Sequence, residues 1–311
     1  MRLAAVDIGS NAIRFQISKI LSHNGIITFK KVEYVRFPLR LGQDVFRNNT
    51  ISPEKEEKFI LLMQTFKNFF DLYEVDDYII CATSAMREST NGKEIAARVE
   101  KEVGVKIDII DGDVEAELIN RVLYHELDED SYIHIDVGGG STELNIFVNR
   151  KKIAAQSFKI GSVRRLNGQD SPEEWDRMHH WIDQQMERTP KPITAMGTGG
   201  NIGKIYELAN IEKPKKTRQS IPYHKIEEVK NMISEYTLED RINVLMLNPD
   251  RADVILPASD IYMGVMHRAK AKKMIVPEVG LKDGLILMLY ERQSKTNTNN
   301  EIVQNVNKYQ K

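Results

Sequence analysis

Two short glycine-rich segments carry the residues best suited to chemistry: Asp7-Ile8-Gly9-Ser10-Asn11-Ala12-Ile13-Arg14 and Asp136-Val137-Gly138-Gly139-Gly140-Ser141-Thr142-Glu143. Apolar, β-prone residues flank both copies, Leu3 to Val6 and Phe15 to Ile17 around the first, Tyr132 to Ile135 and Leu144 to Val148 around the second. Each segment therefore reads as a strand, a tight turn and a returning strand. Glycine lets the turn backbone approach an anion closely, and exposed N–H groups can receive it. An aspartate ending the incoming strand can hold a metal ion directly or through water. Two such turns facing each other would grip a chain of phosphates, and the near-repeat predicts one lobe per copy. Asp7 and Arg14 stand at the two ends of the first segment as Asp136 and Glu143 do in the second, so the turn can aim each pair into one cleft.

The elements that must position these groups follow from length and pattern. A chain of 311 residues exceeds the usual single core and predicts two domains. Net charge is −1, from 44 basic and 45 acidic residues, which gives no global attraction for nucleic acid or a membrane surface, so any polyanion must be met locally. The single cysteine, Cys81, lies in the apolar run 78–82 and reads as a buried thiol in a reducing cytosol. The apolar N-terminus is interrupted by Asp7, so it is neither a signal sequence nor a span. The expectation is a cytoplasmic protein.

Periodicity places strands near 2–8, 13–20 and 26–37, followed by a helix capped by Ser52-Pro53-Glu54 with an apolar face of Phe59, Leu62, Met63, Phe66 and Phe70. A strand at 77–82, a helix near 92–103 ending at Gly104, a strand at 105–110 and a helix near 114–125 complete a first half. The second half restarts with strands near 131–137, 143–149 and 152–158, a helix at 172–187, a strand at 193–196 and a helix from about 201. Restarting the same order points to duplication. Helices are expected at 224–235, 251–271 and 281–292, giving domains of 1–125 and 126–293, with 294–311 a polar, disordered tail.

In order along the chain, the first turn, Ala82-Thr83-Ser84-Ala85-Met86-Arg87-Glu88, Gly112-Asp113-Val114-Glu115-Ala116, the second turn and Arg251-Ala252-Asp253-Val254-Ile255-Leu256-Pro257 resemble the exopolyphosphatase / guanosine pentaphosphate phosphatase family. The likeness runs from residue 1 to about 290. It implies an α/β fold of two ribonuclease H-like domains flanking a cleft, as in actin, heat-shock chaperone ATPases and sugar kinases, with hydrolysis of a terminal phosphoanhydride in that cleft. Larger members add C-terminal helical domains, and this chain is expected to be the short two-domain form.

The resemblance also implies roles. Glu115, which by itself reads as a helix-start carboxylate complementing the dipole, matches the catalytic base that orients and deprotonates water. Asp7, Asp136 and Glu143 are assigned to a magnesium site, with manganese as an alternative, and Glu143 shares in water activation. Arg87, otherwise a helix-start arginine pairing with Glu88 or Asp111, is placed against the transferring phosphate. Phosphate contacts are expected from Gly9, Ser10, Asn11, Arg14, Gly138, Gly139, Gly140, Ser141 and Thr142, and from Gly197, Thr198 and Gly199 in a third glycine-rich turn, between a strand and a helix, which matches the position where actin-like ATPases hold a nucleoside and can bind phosphate or a nucleoside or equally just close the chain. Ala12 replaces the family's usual serine or threonine. His179, His180 and Asp183 read as an amphipathic helix surface, and the basic run Lys213-Pro214-Lys215-Lys216-Thr217-Arg218 as a solvated loop or a guide for a long polyanion. The reading is an exopolyphosphatase acting on inorganic polyphosphate, with guanosine pentaphosphate (pppGpp) as the alternative substrate and an actin-like kinase or ATPase as a more remote alternative. No nucleic acid or membrane partner is expected, and a homodimer follows by family analogy.

Overall fold

The computed structural model describes residues 1–210 and 218–296, and it divides into two compact units. Met1–His125, together with the described residues from Val279 onward, forms the first; Glu126–Glu278 forms the second.

The first unit holds strands β1 (Arg2–Ile8), β2 (Ile13–His23), β3 (Ile26–Phe37), β4 (Asp77–Ala82) and β5 (Asp108–Ile109) in the order β3-β2-β1-β4-β5. β1–β2 and β2–β3 are antiparallel, whereas β4 and β5 run parallel to β1. The second unit holds β6 (Ser131–Val137), β7 (Thr142–Val148), β8 (Lys151–Phe158), β9 (Ile193–Thr198), β10 (Ser220–Pro222) and β11 (Lys273–Ile275) in the order β10-β11-β9-β6-β7-β8. β6, β7, β8, β9 and β11 repeat the directions and order of β1 to β5, and β10 adds an antiparallel edge. Each unit is thus a ribonuclease H-like α/β domain, and the chain carries the arrangement twice.

Local chemistry explains most elements. The helix Pro53–Leu72 buries the five expected apolar side chains, and Phe15 of β2 stacks on Phe66 with ring centroids 4.7 Å apart. Burial of each such side chain is worth about 1.5–3 kcal/mol. Ser52, expected to cap this helix, instead donates its hydroxyl to Asp44 at 2.6 Å. The expected helix 251–271 is two, Pro249–Ala252 and Ile255–Ala269. Pro257 lacks the N–H that would bond back to residue 253, and a helix restarting at Ile255 puts the ring in a first turn where it is tolerated. The strand expected at 105–110 pairs only at Asp108 and Ile109.

The C-terminal helix departs most from expectation. It spans Leu281–Thr296 and packs on β1 and on the helix Gly112–Leu123, so it belongs to the first unit rather than extending the second to 293. A Cβ on Gly284 would lie 2.1 Å from the Leu118 carbonyl oxygen, so the two backbones touch there, and Arg121 pairs with Glu291 at 2.8 Å. Residues 294–296 continue this helix, and the rest of the expected tail lies outside the described residues. No helix among the described residues is long and apolar enough to cross a membrane.

Candidate active site

The first turn, residues 9–12, is closed by the Gly9 N–H donating to the Ala12 carbonyl at 3.2 Å. A Cβ on Gly9 would meet that oxygen at 3.0 Å and the Arg14 guanidinium at 3.3 Å, so room is the reason for glycine. Behind the turn sits the helix Leu41–Asn48, which periodicity did not reveal. The Gly42 N–H donates to the Ser10 carbonyl at 2.8 Å, and the Arg40 N–H donates to the Asn11 carbonyl at 3.0 Å. In a trans peptide the C=O and the following N–H point in opposite directions. Drawing the carbonyls of Ser10 and Asn11 backward therefore turns the N–H groups of Asn11 and Ala12 forward. The Ser10 and Ser84 hydroxyls, 2.7 Å apart and buried, tie the turn to the helix Ser84–Glu88.

The second turn repeats the device. Gly138 N–H donates to the Ser141 carbonyl at 2.9 Å. The start of the helix Ser162–Leu166 then takes the turn's carbonyls: Ser162 N–H donates to Gly138 at 3.0 Å, Val163 N–H to Gly139 at 2.9 Å, and the Arg164 Nε to Gly140 at 2.8 Å. The N–H groups of Gly139, Gly140 and Ser141 are aimed to the opposite side by the same peptide geometry. Gly161 makes this approach feasible, because a Cβ there would fall 2.4 Å from the Gly139 oxygen. Gly161→Ala is expected to lower unfolding free energy by about 1–3 kcal/mol, as overpacking against fixed backbone does, and to cut turnover. Gly203→Ala, where a Cβ meets nothing within 4 Å, should be neutral or slightly stabilising. Parallel denaturation and phosphate-release assays check the contrast.

Strand register puts the charged residues into rows. In the first unit Arg36, Arg14, Asp7, Cys81 and Asp108 are consecutive cross-strand partners. In the second the equivalent row is Ser157, Glu143, Asp136 and Thr198. Directly paired positions share a sheet face. The strand-ending aspartates thus face opposite partners: Asp7 accepts from Arg14 at 2.9 Å, whereas Asp136 is paired with a second carboxylate, Glu143. Ser157 donates its hydroxyl to Glu143 at 3.0 Å and orients it. The first row suits an anion and the second a cation.

Glu115 stands half-buried in the first turn of the helix Gly112–Leu123, which Asp111 caps by accepting from the Val114 N–H at 2.8 Å. Burial pushes the Cys81 thiol up to about 12, helped by the charges of Asp108, Asp7 and Glu115, so Cys81 stays protonated. Arg87 donates to the Ile110 carbonyl at 2.7 Å, one residue before Asp111, rather than to Glu88 or Asp111. That bond uses one arm of the guanidinium and couples it to the loop that starts the Glu115 helix.

Several expected phosphate contacts have other occupations. The Thr142 hydroxyl donates to the Ile160 carbonyl at 2.6 Å and is buried. A Cβ on Gly197 would lie 2.3 Å from the Met274 sulfur, so glycine there serves the packing of β9 on β11. Thr198 is buried with its hydroxyl 2.9 Å from Nε2 of His134. Of that turn only Gly199 keeps a backbone reason, with φ +103° and a Cβ that would meet the Val137 oxygen at 2.9 Å. Tyr262, from the helix Ile255–Ala269, donates its hydroxyl to the Thr198 carbonyl beneath it. Sequence reasoning missed Ser84, Ser157, Gly161, Arg164 and Tyr262; the glycine and serine before the short helices were the available signals.

His134 is fully buried between Thr198 and Asn145, whose Nδ2 lies 3.1 Å from its Nδ1, and burial pushes its pKa down to about 3. A depressed pKa means the unfolded chain binds the extra proton between about pH 3 and 6.5. This contribution is complete above pH 6.5 and is lost as pH falls towards 3. Between pH 7 and 5 it amounts to about 2 kcal/mol. His134→Leu should show a correspondingly shallower loss of stability over that interval in urea unfolding; an unchanged slope contradicts the assignment.

Among the described residues no three His, Cys, Asp or Glu side chains gather as a metal cluster. The expected three-carboxylate set is divided between the units, Asp7 in one and Asp136 with Glu143 in the other. Asp183, beside His179 and His180, is held by Arg268 from two nitrogens. Of the basic run, residues 213–217 lie outside the described residues, and Arg218 pairs with Asp128 at 3.1 Å.

Comparison with known proteins agrees with this architecture. The Ppx/GppA phosphatase family model matches residues 17–293, and the chain belongs to that family. It is 36% identical over 170 residues to the bifunctional 3-dehydroquinate synthase/phosphatase of Fusobacterium nucleatum, a match covering 52% of this chain but only 25% of that protein. It is 21% identical over 304 residues to exopolyphosphatase 1 of Mycobacterium tuberculosis, covering 92% of this chain and 88% of the relative. The solved Ppx/GppA enzyme of Aquifex aeolicus superposes with a TM-score of 0.72 at 26% identity, over 93% of this chain and 99% of that one.

Proposed function

We propose that the chain is a magnesium-dependent exopolyphosphatase that removes orthophosphate from the ends of inorganic polyphosphate in the cytoplasm. The observation that carries this reading is the contrast between the two rows: Asp7 bonded to Arg14, and Asp136 paired with Glu143. Family membership and the exopolyphosphatase relative support it.

In the first unit the forward N–H groups of Asn11 and Ala12, with Arg14, bind phosphate oxygens. Asp7 fixes the Arg14 guanidinium and so has an anchoring role in place of the metal-binding one. Glu115 orients a water and takes its proton as the water attacks the terminal phosphorus, while Arg87 offsets charge on the phosphoryl oxygens. In the second unit the N–H groups of Gly139, Gly140 and Ser141 bind further phosphate oxygens. The chemistry of Asp136 and Glu143 fits magnesium, which takes oxygen ligands and is commonly held by one or two carboxylates plus water and substrate phosphates. Bound there, the ion would neutralise phosphate charge. Ser157 holds Glu143 in place for that task.

Parallel measurement of phosphate release from long polyphosphate, tripolyphosphate, pppGpp and ATP tests the reading. Long polyphosphate is expected to be used best. A kcat/KM for pppGpp at least about ten-fold above that for polyphosphate would transfer the assignment to pentaphosphate hydrolysis, a difference of about 1.4 kcal/mol in transition-state binding.

A further inference from the structure

We propose that Tyr262 is a positioning residue for the magnesium ligand Asp136, acting through the end of β9. The proposal deepens the reading above and rests on it for the role of Asp136. Tyr262 lies fully buried on the helix Ile255–Ala269, and its hydroxyl donates to the Thr198 carbonyl. Thr198 is in turn the direct cross-strand partner of Asp136. The next residue, Gly199, has φ +103°, and the space a Cβ would take there is walled by three oxygens: the Val137 carbonyl at 2.9 Å, the Tyr262 hydroxyl at 3.0 Å and Oδ1 of Asp136 at 3.4 Å. The hydroxyl therefore reaches the same point as the carboxylate, with the Thr198–Gly199 backbone beside both.

The duplicated fold shows why a side chain is needed here. In the first unit β5 accompanies β4 at Cys81 and Ala82, and Cys81 is the partner of Asp7 as Thr198 is of Asp136. In the second unit β11 pairs with β9 only at Ala195 and Met196, two residues short of Thr198. The end of β9 thus lacks a paired strand on its outer side, and Tyr262 supplies a hold that the sheet does not. Thr198 is gripped again by its own hydroxyl, 2.9 Å from Nε2 of His134. His134 stands two residues before Asp136 on β6, and alternate strand residues share a face. Two bonds on one buried residue fix the junction of β6 and β9, and a buried hydrogen bond left unmade is costly. Metal sites whose ligands are oriented by such outer contacts typically lose about 10- to 100-fold in affinity when the contact is removed.

The test is a titration of manganese(II) into the full chain without substrate, the free ion being read by electron paramagnetic resonance, for wild type, Asp136→Asn, Tyr262→Phe and Ile226→Val. Tyr262→Phe keeps the buried ring and loses only the hydroxyl; its dissociation constant for manganese should rise about ten-fold. Ile226→Val, in the same buried core but on the helix Tyr223–Ser234, costs stability by packing alone and should bind manganese as wild type does. In turnover, Tyr262→Phe should need about ten-fold more magnesium for half-maximal phosphate release, yet recover kcat within about two-fold at saturating magnesium. A manganese dissociation constant within about two-fold of wild type overturns the proposal, and so does an equal rise in Ile226→Val, which would make the hydroxyl a structural contact only. If Tyr262→Phe does not fold, Gly199→Ala decides, since its Cβ would intrude on the same three oxygens; metal affinity within about two-fold of wild type in that variant overturns the proposal as well. Asp136→Asn separates this proposal from the reading it rests on. Unchanged manganese affinity there removes the magnesium site and this proposal with it, whereas weakened affinity in Asp136→Asn beside unchanged affinity in Tyr262→Phe removes this proposal alone.

Discussion

Glu115→Gln is expected to lower phosphate release by about 10²- to 10⁴-fold, the usual contribution of a positioned general base. Glutamine keeps the size of the side chain and one acceptor oxygen but cannot take a proton from water. The helix Gly112–Leu123 that carries it is fixed independently, by the Asp111 cap and by the contact of Leu118 with Gly284. The variant should therefore fold and bind substrate as wild type does, with the loss in kcat rather than KM. Activity within about two-fold of wild type would remove Glu115 from the base role. Arg87, joined to the Ile110 carbonyl just ahead of the same helix, should keep its place in the variant, so the two residues can be tested separately.

The second large effect concerns the carboxylate pair of the second unit. EDTA should stop hydrolysis and magnesium should restore it; Asp136→Asn should raise the magnesium concentration needed for half-maximal rate by at least about ten-fold, because a hard cation loses an anionic oxygen. Ser157→Ala removes the hydrogen bond that orients Glu143 and should raise the requirement by a smaller factor. Asp7→Asn should behave differently. Arg14 holds that carboxylate at 2.9 Å, so the loss should fall on substrate KM rather than on the metal requirement. Equal magnesium dependence in Asp7→Asn and Asp136→Asn would return Asp7 to the metal site.

The apolar, β-prone runs flanking Gly9 and Gly138 were enough to place both turns, and the position of Glu143 after Asp136 was enough to place them on adjoining strands. Register then made them direct partners. The helices behind the turns were not legible, because Leu41–Asn48 and Ser162–Leu166 are shorter than the window in which a 3.6-residue period can be seen. Yet those helices draw the turn carbonyls back and decide which way the N–H groups face. The side-chain partners of Thr142, Gly197 and Thr198 were not legible for a related reason. Their residue types suit phosphate binding, but whether a hydroxyl faces substrate or a neighbouring strand depends on packing partners remote in sequence, Ile160, Met274 and His134. The return of Leu281–Thr296 to the first unit was likewise invisible to periodicity, which reports that a helix has formed and not what it packs against.

The central claim is that water, activated by Glu115, attacks the terminal phosphorus of polyphosphate. Hydrolysis in ¹⁸O-labelled water, followed by mass analysis of both products, tests this most directly. The account predicts one ¹⁸O in each released orthophosphate and none in the shortened chain, since the bond to the bridging oxygen breaks on the terminal side. Label at the new end of the shortened chain, or phosphate transfer only in the presence of an added acceptor, would contradict it.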